Sequence, residues 1–513
     1  MQKPLPREWL LSGHSCLRTF EPQQIEDALA TIRPNNFRMV IEKILEDLIE
    51  EIRHAASVSP RERLSCLHLP HKNQFIPNQL EVEKKEVSEP ALNPRVLRND
   101  GIAKTWWKKD DTFWVPRANV IVSLKAPLID SCAENDVKAR LFSDLVRDAL
   151  EEYSYDAELA GLQYNISLDS RVEELSAELP SITVEGVRLF QKQMLGRLFI
   201  EVYVHGNMYK EDALKITDMV ESILKPRILP RAQWCVLRSL ILPRGSNILP
   251  RGSNYVFKKT LKDPANVNHC VETWFYVGSR KDRVIRTKTL LLDQMLHEPT
   301  FDQLRTKEQL GYIVFSGPRV FSTTYGFRFL IRSEMTPEFL DSRIEAFLRR
   351  YVETLEKMSD AKFEGHKRSL VIRRLEKPRN LDQESSRHWS QITSEYYDFE
   401  LAQRDAEQVK KLTKSEMVEF FNKYFDPASS ERARLSIHLH AQGKSEGVEK
   451  RQEGAQRKAD EEAPAGDVPS AISTAVEIAD VRVFKASLRV RAASSGARPV
   501  KYVSEYEDTD VKL

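Results

Sequence analysis

"TVEGVRLFQKQMLGRLFIEVYVHGN" at 183–207 and "TKSEMVEFFNKYFDPASSERARLSIHLHA" at 413–441 follow one plan. Each runs from a threonine through an apolar-periodic helix into a β-prone strand, and the strands end at His205 and His440. Thr413 followed by Glu416 fits a capping box in front of the second helix. A fainter third copy, "EDALATIRPNNFRMVI", lies near the start. A unit that returns in this way constrains the chain to repeated domains of one αβ type. At 513 residues several such units fit, because a single core rarely grows so large. The predicted class is α+β, with mostly antiparallel sheets packed against helices.

The rest of the chain orders around these units. Residues 1–73 read as the tail of one domain, with a charged helical stretch at "EKILEDLIEEIRHA". Prolines and alternating charge make 74–100 a linker. An αβ unit over 101–229 holds a strand-like run in "RANVIVSLKAPL", a helix over "AENDVKARLFSDLVRDALEEYSYDAELAG" ended by Gly161, and a strand at "LQYNISL". A second unit over 230–441 holds a helix at "RTKTLLLDQMLHEPTFDQLRTKEQLG", strands at "YIVFSG" and "YGFRFLIRS", and helices at 336–357 and 360–375. Residues 442–470 carry almost no large apolar side chain and are predicted to be disordered. A C-terminal tail, 471–513, recovers a strand-like "ADVRVFKASLRV". The heptapeptide "ILPRGSN" stands twice, back to back, at 241–254, a duplication most easily carried in a loop.

Several function classes are disfavoured. With 78 basic and 76 acidic residues, no bulk basicity points to nucleic acid. No apolar run approaches the roughly 18 residues that span a bilayer, and "MQKPLPREWLLSG" lacks the apolar core of a secretory signal. Five well-separated cysteines (Cys16, Cys66, Cys132, Cys235 and Cys270) suggest reduced thiols. The expected compartment is the cytoplasm, with a mitochondrial or peroxisomal pool left open. Neither GxGxxG, GxxxxGK[ST] nor GxSxG occurs, so nucleotide and serine-hydrolase chemistry have no motif.

Metal chemistry fares little better. HExxH and HxxEH are both absent, and the close histidine pairs are His68/His71 and His438/His440. The second pair lies at i, i+2 on one strand face, where two ligands are possible, but the sequence offers no obvious carboxylate partner. Both pairs read as ordinary surface or core residues, and no metal site can be read from the sequence. The run "KRSLVIRRLEKPRN" at 367–380 is a solvated helix face or an anion-binding patch. "FDQLRTKEQLGYIVFSG" at 301–317 reads as a helix stopped by Gly311 and a strand opened by Tyr312. A glycine break can bring Arg305 and Tyr312 to one crevice, where guanidinium and phenol would donate to a peptide carbonyl. A surface arginine beside a strand-edge tyrosine explains the same letters.

The stretch "LRTKEQLGYIVFSGP" (304–318) decides for a family, supported by "WLLSGHSCLRTFEP", "KDDTFWVPRANV", "YDAELAGLQY", "VHGN", "NHCVETWFYVG" and "IRRLEKP" in order. The chain resembles the C-terminal half of insulinase-type members of the M16 inverzincin family of zinc metallopeptidases, fungal relatives included. The resemblance implies M16-type αβ domains closing around a peptide chamber, with the tail of the second domain at 1–73, the third at 101–229 and the fourth at 230–441. It implies that the N-terminal catalytic domain, which holds the zinc, is absent, so that zinc belongs to the full-length family and has no site in this chain. Arg305 and Tyr312 match residues that reach the substrate backbone, and Phe301 matches an aromatic lining a side-chain pocket. Arg373, Lys377 and Arg379 match a basic chamber wall that takes ATP or another polyanion as effector. The implied function is that of a substrate-chamber half, inactive alone, with peptide substrates and a separately encoded N-terminal half or a homodimer as partners; neither nucleic acid nor a membrane is expected. The alternative is a non-catalytic peptide- or polyanion-binding module, or a decaying fragment. One departure stands out: the third domain is short after "YNISLDSRVEELSAELPSITVEG", where relatives have further sheet and helix.

Overall fold

The structure is a computed structural model describing residues 93–168, 179–230, 238–244, 252–445, 447–461 and 475–492, short stretches at 72–78 and 80–82, and positions 54, 91 and 233. Residues 1–76 together with 156–162 form a unit of their own, in which the Asn73 side chain accepts from the Phe75 amide and donates to the Asp156 carbonyl. The remaining residues, 77–155 with 163–513, form the larger unit.

Its first sheet has the order β1-β2-β4-β3, from β1 (Arg95–Asn99), β2 (Ala103–Lys109), β3 (Ala118–Lys125) and β4 (Phe199–Gly206). Three helices belong to it: α1 (Ala133–Leu159), α2 (Val184–Leu195) and α3 (Lys210–Leu224). Gly161, at φ +84°, takes the left-handed position just past α1, as its place in the sequence predicts. Thr183 caps α2 by accepting from the Gly186 amide. Phe190 and Met194 of α2 then pack with Ile200, Val202 and Val204 of β4.

The second sheet has the order β11-β6-β10-β7-β9-β8. Its strands are β6 (Ser253–Thr260), β7 (His269–Ser279), β8 (Ile313–Val320), β9 (Thr324–Ser333), β10 (Ala433–His440) and β11 (Val476–Glu477). A short β5 (Arg238–Ile241) pairs apart from it with β12 (Arg489–Ala492). The helices of this half are α4 (Arg283–Thr300), α5 (Pro337–Lys357), α6 (Asp360–Arg374), α7 (Leu381–Thr393), α8 (Leu401–Lys411), α9 (Lys414–Tyr424), α10 (Val448–Glu461) and α11 (Val481–Ser487). Thr413 and Glu416 form the expected capping box on α9. Phe275, Phe327, Phe329 and Phe425 are completely buried at the centre of its core. At about 1.5–3 kcal/mol for each such side chain, that cluster is a large part of what holds the half together.

The two sheets repeat one core. In the first, β2 runs parallel to β4, and β4 antiparallel to β3. In the second, β6 runs parallel to β10, and β10 antiparallel to β7. Beyond β7 the second sheet adds β9 and β8, whereas β3 is the edge of the first. Val120, Val122 and Leu124 consequently stand 38–43% exposed on that edge. One face at this end of the sheet is nevertheless covered: α7 packs on β3 and β4, with Asn119 donating to Asp382 and Ser385, Tyr203 stacked on Trp389 at 6.2 Å and its hydroxyl 2.9 Å from His388 Nδ1.

Four sequence expectations are corrected. Residues 162–168 form no strand. The end of the proposed linker is strand β1, whose Val96 packs against Trp106 and Tyr203. "VRVFKAS" is helix α11, because the Asp480 side chain accepts from the Arg482 and Val483 amides and so opens a helix. Residues 448–461 are helix α10 rather than disordered, while 462–470 lie outside the described residues. Ala455 is the buried contact of α10, and polar ends secure the rest: Arg343 donates to Gln456, and Lys458 to Gln309. A hydrophobicity count misses a helix docked through one small apolar side chain and several long polar ones, Arg451 on Glu334 and Gln452 on Thr336 among them.

Candidate peptide-binding site

Pro299 lies near the end of α4 and has no amide hydrogen to give the Met295 carbonyl. The buried Tyr351 hydroxyl from α5 donates to that carbonyl instead, at 3.1 Å. Tyr351→Phe should therefore leave a buried acceptor unsatisfied and lower stability by about 1–3 kcal/mol, read as a shift of the unfolding midpoint. An unchanged midpoint would mean that water takes over the carbonyl.

After Pro299 the helix widens into a π-helix over Phe301–Lys307, closed by the Glu308 amide bonding the Gln303 carbonyl at 2.9 Å. Glu308 holds the end of this turn. Its buried carboxylate takes both Nε and Nη2 of Arg343 at 2.7 and 3.0 Å, Arg350 at 3.3 Å and the Gln303 amide at 2.9 Å. The chain then reverses at Gln309, which adopts φ +54°. The predicted role of Gly311 is thus corrected: the left-handed residue is Gln309, two places earlier. Gly311 is needed for a different reason, since a Cβ there would lie 2.2 Å from the Arg332 carbonyl oxygen across the sheet edge. The strand itself begins at Ile313, one residue past the predicted Tyr312.

This path brings Phe301, Arg305 and Tyr312 together. The Arg305 guanidinium carbon lies 4.6 Å from the Phe301 ring centre and 5.0 Å from that of Tyr312. Stacking fixes the plane of the guanidinium while leaving its N–H edge open. Tyr312 is 84% exposed, and among the described residues neither it nor Arg305 makes a hydrogen bond or ion pair. Gly311, Tyr312, Ile313 and Arg332 line a cleft of about 320 Å³. Phe315, 43% exposed on the outermost strand β8, adds apolar surface nearby. The arrangement can offer two donors and an apolar shelf to an extended peptide.

The basic run lies elsewhere, at the end of α6 and just after it. Arg373 sits 3.6 Å from Asp293, and Arg379 pairs with Glu376 at 2.6 Å. Lys377 is exposed and has no ion pair among the described residues. Arg374, from the same run, is spent on the buried Asp405, which also holds Arg286. Sequence reading therefore overcounts the charge available to an anion.

The donor set does not fit the family's inverse zinc motif, because no HxxEH occurs anywhere in the chain. Among the described residues two clusters of potential ligands occur, His205/Glu384/His388 and Glu338/His438/His440. In the first, burial and then the Lys108 charge push the His205 imidazole down to about 3. The Lys108 ammonium already lies 3.3 Å from Glu384, so a cation is supplied there by the chain itself. The second cluster corrects the expectation that His438 and His440 lack a carboxylate neighbour. Glu338 comes from the first turn of α5, about a hundred residues earlier, a distance that spacing along the sequence cannot reveal.

A family profile described as the middle or third domain of peptidase M16 matches residues 1–178. A second, the C-terminal lobe domain 4 of PQQ synthase PqqF-like proteins, matches 291–389. The chain is 30% identical over 535 residues to a putative zinc protease, mug138, of Schizosaccharomyces pombe, covering 86% of this chain and 54% of that protein. It is 29% identical over 536 residues to human insulin-degrading enzyme, covering 85% and 51% respectively. The chain thus spans about half the length of the curated relatives it matches. The crystal structure of pitrilysin superposes with a TM-score of 0.66 at 19% identity, over 88% of this chain and 51% of that one, a likeness of fold. With two successive domain profiles, relatives over most of its length and a repeated αβ core, the chain belongs to the M16 insulinase-family metallopeptidase superfamily.

Proposed function

We propose that this chain supplies the substrate-facing wall of a zinc metalloendopeptidase, the C-terminal half of a chamber that encloses a peptide. The observation that carries the reading is the stack of Phe301, Arg305 and Tyr312, with both polar tips uncommitted among the described residues. Arg305 would hold a substrate carbonyl, and the Tyr312 phenol would donate to the carbonyl oxygen that gains negative charge as the peptide bond is attacked. Phe301 would line the pocket for a neighbouring substrate side chain. The chemistry of attack requires a segment bearing the HxxEH ligands, on the same polypeptide or another. Peptidase assays on the chain alone and together with such a segment test the proposal.

A second role, polyanion binding, is favoured by one observation: Lys377 stands exposed and without an ion pair among the described residues, between an exposed Arg373 that lies 3.6 Å from Asp293 and an exposed Arg379 paired with the exposed Glu376. Triphosphate affinity is expected to fall steeply as salt rises, and Lys377→Glu with Arg379→Glu should weaken it at low salt. Binding that survives both the reversal and high salt would assign the anion to another surface.

A further inference from the structure

Two ring nitrogens with no hydrogen-bond partner point at one carboxylate. His438 Nδ1 and His440 Nε2 are each buried and unpartnered, and they lie 3.9 and 3.6 Å from the same oxygen, Oε1 of Glu338. Both separations are too long for hydrogen bonds, so the contacts do not satisfy the nitrogens. His438 itself is only 3% exposed, and burying an imidazole nitrogen without a partner carries a desolvation cost.

The surroundings prepare His438 as a donor of its Nδ1 lone pair. Its other nitrogen, Nε2, lies 3.1 Å from Ser436 Oγ and 3.4 Å from Asp341 Oδ2. Asp341 is kept ionised by Arg434, and its other oxygen accepts from Thr273 and Ser436. A proton on Nε2 is therefore stabilised by the carboxylate side, which leaves Nδ1 bare. A ligating histidine is ordinarily oriented in this way, with a carboxylate behind it.

We propose that Glu338, His438 and His440 form a binding site for one divalent transition-metal ion of the zinc type, which clamps the first turn of α5 to the end of β10. The ligand atoms all lie within 4.8 Å of one another. Ions with bonds of about 2.0–2.1 Å need ligand atoms roughly 3.3 Å apart, so the set closes with a small movement of the half-exposed Glu338. Two imidazoles and one carboxylate suit zinc, with the remaining position left to water. Lys258, 3.5 Å from Glu338, must withdraw when the ion enters; Glu477, 3.6 Å away, is there to receive it. The inference is independent of the peptidase reading, because it concerns a clamp within the second half alone.

The test uses the full chain, stripped with a chelator and titrated with cobalt(II), then zinc(II). One equivalent of cobalt should give the visible bands of a four- or five-coordinate nitrogen and oxygen site, and zinc should displace it. Zinc should also raise the unfolding midpoint. Glu338→Gln and His440→Ala alter partly exposed side chains, so both variants should fold, which circular dichroism verifies. Each should weaken zinc about tenfold or more and abolish the rise in midpoint. Absence of binding in the unaltered chain, or affinity unchanged in both variants, would overturn the proposal.

Discussion

Tyr312→Phe is expected to lower kcat by about 10²–10³-fold in an enzyme completed with the zinc-bearing half. The substitution keeps the ring against Arg305 and removes only the hydroxyl. That hydroxyl has no hydrogen bond within the described residues, so folding stability should stay where it was. KM should change far less than kcat, because the donor acts chiefly on the charge that develops during reaction. Steady-state kinetics on one peptide separates the two constants. Turnover kept intact with stability reduced would make Tyr312 a packing residue.

Glu308→Gln should destabilise the second half by about 3–5 kcal/mol. Arg343 is buried, and its Nε and Nη2 both bond to the Glu308 carboxylate, with Arg350 joining from two turns further along α5. A neutral amide cannot compensate those charges and turns one hydrogen-bond acceptor into a donor facing a guanidinium. The loss should be concentrated where the carboxylate acts, at the junction of the π-helix and Gln309. Denaturant titration measures the size of the effect, and hydrogen exchange over 301–312 its location. A variant as stable as the parent would mean that the π-helix is held by backbone contacts alone.

Much of this arrangement is legible in the sequence, for physical reasons that differ from residue to residue. The threonine caps and the 3.6-residue spacing of "TKSEMVEFFNKYF" are local, so α9 and its capping box could be read directly. Arg305 and Tyr312 could be singled out because a glycine sits between two chemically capable groups and a β-prone run follows the second. Their meeting point could not be placed, since it depends on a π-helix and on a left-handed Gln309 that no composition rule marks. Glu308 carries no sequence signal for the same reason: its partners lie 35 and 42 residues away on α5. The pairing of Glu338 with His438 and His440 is likewise tertiary. Helix α10 was hidden by its own polarity, because Ala455 is small enough to dock without a hydrophobic stripe.

The central claim is that this chain contributes a substrate wall and not the hydrolytic ligands. Cleavage of a fluorogenic peptide, followed with the chain alone, with added zinc, and with a separately produced M16 segment carrying HxxEH, tests it most directly. The account predicts no zinc-dependent cleavage by the chain alone and cleavage once the segment is supplied, abolished or strongly reduced by Tyr312→Phe in this chain. Zinc-dependent hydrolysis by the isolated 513-residue chain would contradict it.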